Sequence, residues 1–354
     1  MRYLGPAALT AASLVLLLAT DRDAASLLAT DPSAAAPAQG AVALAAPAQA
    51  AVAAPAQATA ALAGPAPAAP ALVVQTVAHE VVPQLGPALT PETPPAPPVV
   101  LKRTVLADPL RARKTPLPSE VFAGAGFDAC TAPSLETLQA WRDASPYGAV
   151  GIYLSGRQRA CGQPRLTADW VREAKAMGWR LIPTHVGRQA PCMTTGKPQR
   201  IDPATAVQQG KEEAAEAVKA LKSLGLRTGT PVYLDIEAYP RGDAACSQAV
   251  VDFTLGWTQA LHKAGFRSGF YSSTDAGIAD LAAAARAGSS PLPDAVWYAR
   301  WDDHPTTTDG AGQLGTDLWT PHSRIHQYHG NVQETYGGQT LTIDRDQLDG
   351  PVAR

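Results

Sequence analysis

The chain has 354 residues, a formal net charge of −2, 46% hydrophobic residues, 32 prolines and four cysteines. A net charge so close to zero gives no reason to expect nucleic acid or an anionic membrane surface as the partner, and it suits a neutral partner such as a glycan. The length would allow two average domains, but the prolines are unevenly spread, so the domain count must follow from the segments.

The first 30 residues have the features of an export signal. Arg2 is followed by the apolar run LGPAALTAASLVLLLA, and no further charge occurs before Asp21. This run of about 16 residues is shorter than the roughly 20 that span a bilayer. Ala43-Leu44-Ala45 offers a small-residue cleavage pattern downstream. We therefore predict a signal peptide at residues 1–30, with an uncleaved signal anchor as the alternative, and a secreted or cell-envelope location.

Residues 31–118 are dominated by alanine and proline, as in APAQAAVAAPAQATAALAGPAPAAPA. Frequent prolines remove backbone donors and clash with the preceding turn, so a long helix cannot propagate. We predict a disordered linker here. Its last part is basic, and we interpret these charges as solvated: Lys102, Arg103, Arg111, Arg113 and Lys114.

From residue 119 to 354, short apolar runs alternate with helical patterns, which is typical of a parallel α/β fold. The first predicted strand ends near residue 128, and the next four cover 148–154, 180–186, 231–239 and 267–273. A helical stretch follows each of these five strands. Three more strands are predicted at 295–301, 324–330 and 340–348, without strong helical patterns between them. Either a closed barrel or a doubly wound open sheet would fit this order.

Helix ends are marked by capping residues. Ser134 and Asp202-Pro203 are predicted N-terminal signals, and Gly178, Gly225 and Gly265 are predicted C-terminal ones.

Four carboxylates interrupt apolar strand contexts at the ends where parallel β/α folds place their sites: Asp128, Asp235, Glu237 and Asp344. Asp235 and Glu237 are two residues apart, so their side chains should point the same way, and the acid in the drier position should have a raised pKa. Glycoside hydrolysis uses such a pair, and we assign Glu237 as general acid with Asp235 assisting. The structural alternative is that these acids cap loops or pair with Arg157, Arg188 or Arg300.

Aromatic and amide side chains near strand ends are candidates for stacking on sugar rings or binding their hydroxyls: Tyr239, Tyr271, Trp297, Tyr298, Trp301, Gln327 and Tyr328. His185 and His326 also lie near strand ends, and core packing is the simpler interpretation of His185. The histidines and acids do not form a recognised metal spacing, and no glycine-rich phosphate loop follows the first strand, so we expect neither a metal nor another cofactor.

All four cysteines, Cys130, Cys161, Cys192 and Cys246, fall in the predicted folded region, in loops at the expected rim of the site. Their spacing lacks the close pairs of a zinc site, and an exported chain favours two disulfides with three open connectivities.

The segments GFDAC, YLDIEAY, GFYSS, VWYARW, HQYHG and IDRDQLDG occur in an order that resembles the secreted glycoside-hydrolase-like family called domain of unknown function 1906, from about Phe122 to Leu348. That family resembles the muramidases of glycoside hydrolase family 25. The resemblance implies a TIM-like barrel of five β/α units and three further strands, with Glu237 as proton donor, Asp235 as its partner, Asp128 and Asp344 as outer acids, and Trp297, Gln327 and Tyr328 in binding positions.

We therefore predict, for residues 119–354, a monomeric glycoside-hydrolase-like domain that acts on peptidoglycan or another cell-envelope polysaccharide. It would touch a membrane only through an uncleaved N-terminal anchor. The alternative is a non-catalytic module that binds glycan or organises the wall and has kept the cleft.

Overall fold

A computed structural model describes residues 99–112, 120–194, 196–309 and 312–353. These residues belong to one compact unit, 85–354. The predicted export signal and the linker as far as residue 98 lie outside the described residues. In the described part, no helix is long and apolar enough to cross a membrane.

Five strands are each followed by a helix, and three strands complete the chain. The strands are β1 Glu120–Asp128, β2 Ala149–Ser155, β3 Arg180–His185, β4 Pro231–Asp235, β5 Arg267–Ser273, β6 Ala295–Ala299, β7 Arg324–Tyr336 and β8 Gln339–Val352. The helices are α1 Leu135–Ala144, α2 Ala168–Ala176, α3 Ala206–Ser223, α4 Ala244–Ala264 and α5 Gly277–Arg286.

The eight strands form a closed barrel in sequence order. From β1 to β7, each strand is parallel to the next one in the sequence, whereas β8 is antiparallel to both β7 and β1. This arrangement confirms the predicted TIM-like barrel and excludes the open sheet. Because β8 runs the other way, its early residues lie beside the carboxyl ends of the parallel strands, and Asp344 pairs with Asp128.

The core has two layers, as the alternation of side chains across a barrel strand requires. Tyr233, Trp297 and Ile325 pack with other strand residues in a cluster inside the barrel. Phe127, Trp141 and Phe253 belong to the larger cluster between strands and helices.

The helix ends agree with the predicted signals at Ser134 and at the glycines, but not at Asp202. The Ser134 hydroxyl accepts the N–H of Thr137, and Gly265 ends α4 with a φ of 84°. Helix α3 begins only at Ala206, because the Asp202 carboxylate accepts the N–H of Ala204 and closes a separate turn first.

Residues 99–112, which composition assigns to the linker, lie against the barrel, and we call them the strap. The N–H of Leu106 donates to Ser290 O at 2.7 Å, and the N–H of Ser290 donates to Thr104 O at 2.9 Å. Asp108 hydrogen-bonds His262 at 2.8 Å. Leu101 and Leu106 pack on an apolar cluster of α4 and α5. Described residues on the N-terminal side of the predicted boundary at residue 119 therefore contact the barrel.

Two disulfides, Cys130–Cys161 and Cys192–Cys246, confirm the expectation that the cysteines pair. Cys130 and Cys161 line the site described below, as predicted. Cys246 lies in the first turn of α4 rather than in a loop, and it is 2% exposed.

Candidate active site

Three adjoining cavities of about 390, 160 and 360 Å³ form an elongated cleft across the mouth of the barrel. The first and second share Asp235, Glu237 and Asp344, and the second and third share Tyr271 and Trp301. Glu237 lines all three cavities and thus occupies the middle of the cleft. An open cleft of three adjoining cavities can take a polymer on both sides of one central side chain.

Asp128 is held at the end of β1 by neighbours from two other strands. The Tyr153 hydroxyl donates to its Oδ1 at 2.6 Å, and the Gln327 amide donates to its Oδ2 at 3.0 Å. Gly151 on β2 leaves the necessary room, because a Cβ there would lie 2.5 Å from the Cβ of Asp128. The side chain is 2% exposed yet lines the first cavity.

Asp235 ends β4, and Glu237 follows in the loop, with the fully buried Ile236 between them on the helix side. Gln189 fixes this turn of backbone: its amide donates to Asp235 O at 2.9 Å, and its oxygen accepts the Glu237 N–H at 2.7 Å. The predicted pair therefore does share one wall of the cleft.

The inner acids of the cleft have pKa values above the usual range of a carboxyl group. Burial, and then the charge of Asp344, raise the pKa of Asp128 to about 7, against the hydrogen bonds from Tyr153 and Gln327. Burial also raises the pKa of Asp344, although the Asn331 N–H donates to it. Asp346, whose Oδ1 accepts the Trp297 indole N–H at 2.9 Å, has a pKa raised well above its usual value by burial and by the charges of Asp128 and Asp344.

Asp235 rather than Glu237 occupies the drier position of the pair. Burial, followed by the charge of Glu237, raises the pKa of Asp235 well above its usual value. Its Oδ1 is buried and has no hydrogen-bond partner among the described residues. The Glu237 side chain is 41% exposed, and its Oε1 lies 3.4 Å from Lys197 Nζ. Asp235 is therefore the member of the pair whose neutral form is favoured by burial.

Four of the predicted binding residues line the cleft: Tyr271, Trp297, Trp301 and Gln327. The oxygen of the Gln327 amide accepts from the Tyr271 hydroxyl at 3.0 Å and from the Trp301 indole at 3.1 Å, so one amide orients both rings. Trp301 is 60% exposed at the rim. Its ring packs closely against Gly330, where a Cβ would come within 2.1 Å of a ring atom.

Three other predicted binding residues do not line the cleft. Tyr239 is 6% exposed and donates to Asp280 on α5. Tyr298 faces the helix layer, where it stacks on His326 at 4.4 Å. Tyr328 lies edge-on to the ring of His326 at 6.2 Å, on the side of β7 where His326 stacks on Tyr298.

Two of the arginines considered as partners of the cleft acids, and one of the histidines, form contacts outside the cleft. Arg188 pairs with Glu213, and Arg300 with Asp302 and Asp309, not with the acids of the cleft. His185 is fully buried and hydrogen-bonds Ser155 and Glu213, as a core histidine does. In the described ranges, no group of three or more His, Cys, Asp and Glu side chains is arranged to hold a metal.

The residues that line or border the cleft and that the sequence prediction missed include Tyr153, Arg159, Lys197, Asn331 and Asp346. Asp346 lies two residues after Asp344 on β8, so strand alternation could have found it. Tyr153 lies on β2, two residues before the end of that strand. Arg159, Lys197 and Asn331 come from loops, where no periodicity points to them.

Comparison with solved structures gives low overall similarity over a large part of the chain. An uncharacterized protein of B. stearothermophilus is 17% identical, with a TM-score of 0.46, covering 64% of this chain and 99% of its own. The Tat-secreted Mycobacterium tuberculosis protein Rv2525c, in complex with L-tartrate, is 17% identical, with a TM-score of 0.43, covering 64% and 96%. The catalytic domain of the endolysin ply40 from Listeria monocytogenes bacteriophage P40 is 15% identical, with a TM-score of 0.37, covering 64% and 93%.

No curated protein matches the chain. The family model described as "Rv2525c-like, glycoside hydrolase-like domain" matches residues 139–348, which is more than half of the chain and contains most of the barrel and the cleft. The chain belongs to the Rv2525c-like family of glycoside hydrolase-like domains.

Proposed function

We propose that this protein is an exported glycoside hydrolase that cleaves peptidoglycan or another polysaccharide of the cell envelope. The observation that carries the proposal is the position of Glu237, which lines all three cavities of the cleft and lies two residues from Asp235, whose pKa is raised by burial. A glycosidic oxygen bound over the middle of the cleft would meet a carboxyl group that can protonate it.

Asp235 and Glu237 would work as one unit that holds a proton between them. Asp235, which is buried and has a raised pKa, would supply the proton, whereas Glu237 is exposed enough to reach a substrate. Transfer from Asp235 to Glu237 places the proton at the leaving oxygen, and the remaining Asp235 carboxylate then stabilises positive charge on the sugar ring.

The other predicted residues have supporting roles in this proposal. Asp128 and Asp344 face the same cavity from β1 and β8, where, once ionised, they would stabilise the oxocarbenium charge or orient water. Trp301 and Tyr271 would stack on a sugar ring in the second and third cavities. The export signal at 1–30 and the linker after it, both still predictions, would deliver the barrel to its substrate.

The test is turnover of purified peptidoglycan by the full chain, measured as release of reducing ends and as new products in mass spectrometry. Glu237→Gln should lower the rate by about 10² to 10⁴, the usual contribution of a general acid. Glu136→Gln, at an exposed position on α1, is the matched control and should leave the rate unchanged. Products formed equally fast by Glu237→Gln would assign proton donation to another group.

One observation favours a non-catalytic glycan-binding module as the second candidate. The Oε1 of Glu237 is engaged by Lys197 Nζ at 3.4 Å, so this side chain is held by a cation of the cleft rather than left free to reach a glycosidic oxygen. A binding module would bind wall glycan saturably and release no products. Glu237→Gln would then have no rate of cleavage to lower.

A further inference from the structure

The first cavity of the cleft carries two cations opposite its acids, Arg159 and Lys197. Arg159 lies in the loop after β2, and Lys197 lies in the loop after β3. Lys197 Nζ donates to the carbonyl oxygen of Gln158 at 3.1 Å, so the ammonium group is tied to the residue next to Arg159. Two loops that are far apart in the sequence thus bring positive charges to one wall.

Arg159 is fixed in place without an acidic partner. Its Nε donates to Gly156 O and its Nη1 to Tyr153 O, both at 3.1 Å. Within the ranges that the structure describes, it forms no ion pair, and the guanidinium still has donors to offer. Two neutral carbonyl groups hold the side chain but do not balance its charge.

The acids across the cavity do not balance it either. Burial raises the pKa values of Asp128, Asp235 and Asp344, which shifts each of them toward its neutral form, and Glu237 is paired with Lys197. Arg159 is therefore the unpaired charge of this wall. An anion bound beside it would gain a charge-assisted hydrogen bond in a partly enclosed site.

The loop that carries Arg159 is also rigidly attached to the barrel. The disulfide Cys130–Cys161 joins it to the end of β1. Gln163 adds two hydrogen bonds, donating to Cys130 O at 2.7 Å and accepting the Ala132 N–H at 3.0 Å. Preorganisation of this kind lowers the entropic cost of ligand binding.

We propose that Arg159 and Lys197 form a subsite for the carboxylate of an acidic sugar, so that the glycan bound in this arm of the cleft carries a free carboxyl group. The proposal rests on the glycan-hydrolysing function proposed above and narrows its substrate class. The carboxylate would sit next to the scissile position, because Lys197 also contacts Glu237.

Such a ligand would also change the central pair. A sugar carboxylate that takes over Lys197 removes the cation from Glu237 and places a negative charge beside it. Both changes would release Glu237 from its ion pair and leave it beside Asp235, whose raised pKa makes that carboxyl group the source of the proton. An acidic substrate would therefore complete the site for its own cleavage, and a neutral glycan would not.

The test compares acidic and neutral disaccharides in matched pairs on the full chain, with affinity measured by isothermal titration calorimetry and cleavage by mass spectrometry. N-acetylglucosaminyl-N-acetylmuramic acid against diacetylchitobiose probes a lactyl carboxylate. A glucuronic acid disaccharide against its glucose counterpart probes a C6 carboxylate. We expect the acidic member of at least one pair to bind at least about tenfold more tightly, with a difference that shrinks as salt is added.

Arg159→Gln should reduce that preference about tenfold or more and leave the neutral affinity unchanged, because the neutral sugar lacks the group that Arg159 binds. Arg157→Gln removes an exposed charge from the same loop and is the matched control. Equal binding of both members, or equal effects of the two substitutions, would overturn the subsite. If the subsite is overturned but neutral glycans are cleaved, the hydrolase proposal stands. If the protein binds neither acidic nor neutral glycans, both the subsite and the hydrolase proposals are refuted.

Discussion

Asp128→Asn should make the protein more stable at neutral pH, although it removes an acid of the cleft. The pKa of Asp128 is raised from 3.8 to about 7, chiefly by burial. As pH rises through this interval, the unfolded chain releases the proton first, while the folded chain keeps it. Folding stability therefore falls between pH 4 and 7, and the loss is complete once the folded carboxyl has also ionised.

The size of this effect follows from the shift. About three pKa units at 1.36 kcal/mol each give a loss of about 4 kcal/mol, which the neutral amide would not suffer. The new carboxamide can still accept from Tyr153, but its N–H₂ would face the Gln327 amide donor, at a cost of about 1 kcal/mol. We thus expect the variant to be about 1 kcal/mol less stable than the wild type at pH 4 and about 3 kcal/mol more stable at pH 8.

The assay is urea-induced unfolding of both oxidised proteins at intervals from pH 4 to 9, followed by tryptophan fluorescence. Asp169→Asn serves as the control, because the Asp169 side chain is 80% exposed and should show no such trend. A stability difference between wild type and Asp128→Asn that stays constant from pH 4 to 8 would refute the reasoning, since it would mean that this carboxyl titrates alike in the folded and unfolded chains.

Three further results are expected. His262→Gln should loosen the strap, as read by hydrogen exchange at Leu106, and destabilise the protein more at pH 6 than at pH 9. The reason is that hydrogen bonds and charges from two aspartates raise the pKa of His262 despite its burial, and the resulting stability is lost as pH rises through that pKa. Replacing Cys192 and Cys246 by serine should cost about 4 kcal/mol in urea unfolding, the chain entropy of a loop with a separation of 54 residues. Trp301→Ala should weaken glycan binding roughly three- to tenfold without changing stability, because the ring is exposed; an unchanged Kd would remove it from the cleft's binding surface.

Elements of the barrel could be predicted because their apolar runs are buried on both faces. Strand β2 is a continuous apolar segment between the barrel interior and the helical layer, and it is recognisable without knowledge of its neighbours. The cleft acids could be predicted for the opposite reason, since a carboxylate at the end of such a run has no structural need to be there. Whether the sheet closed could not be decided from local patterns; the family resemblance supplied that expectation.

The direction of individual aromatic side chains was harder to predict. Trp297 and Tyr298 are adjacent on β6, so only one of them can face the barrel interior, and the sequence does not say which. Tyr239 lies beyond the end of β4, where alternation no longer applies and Asp280 binds its hydroxyl. The roles of Arg159 and Lys197 depend on loop conformations that the disulfide and several backbone hydrogen bonds determine.

The strap also determines how mechanical load would enter the domain. Any pull on the chain before Val99 reaches the strap first, where hydrogen bonds to Ser290, Gln248 and Asp252 join it to the region of α4 and α5. These bonds lie side by side along the segment, so tension would have to shear several of them before it reached β1. If the preceding residues do attach this protein to an envelope, growth or turgor would strain the strap while β1, and the acid at its end, kept their register.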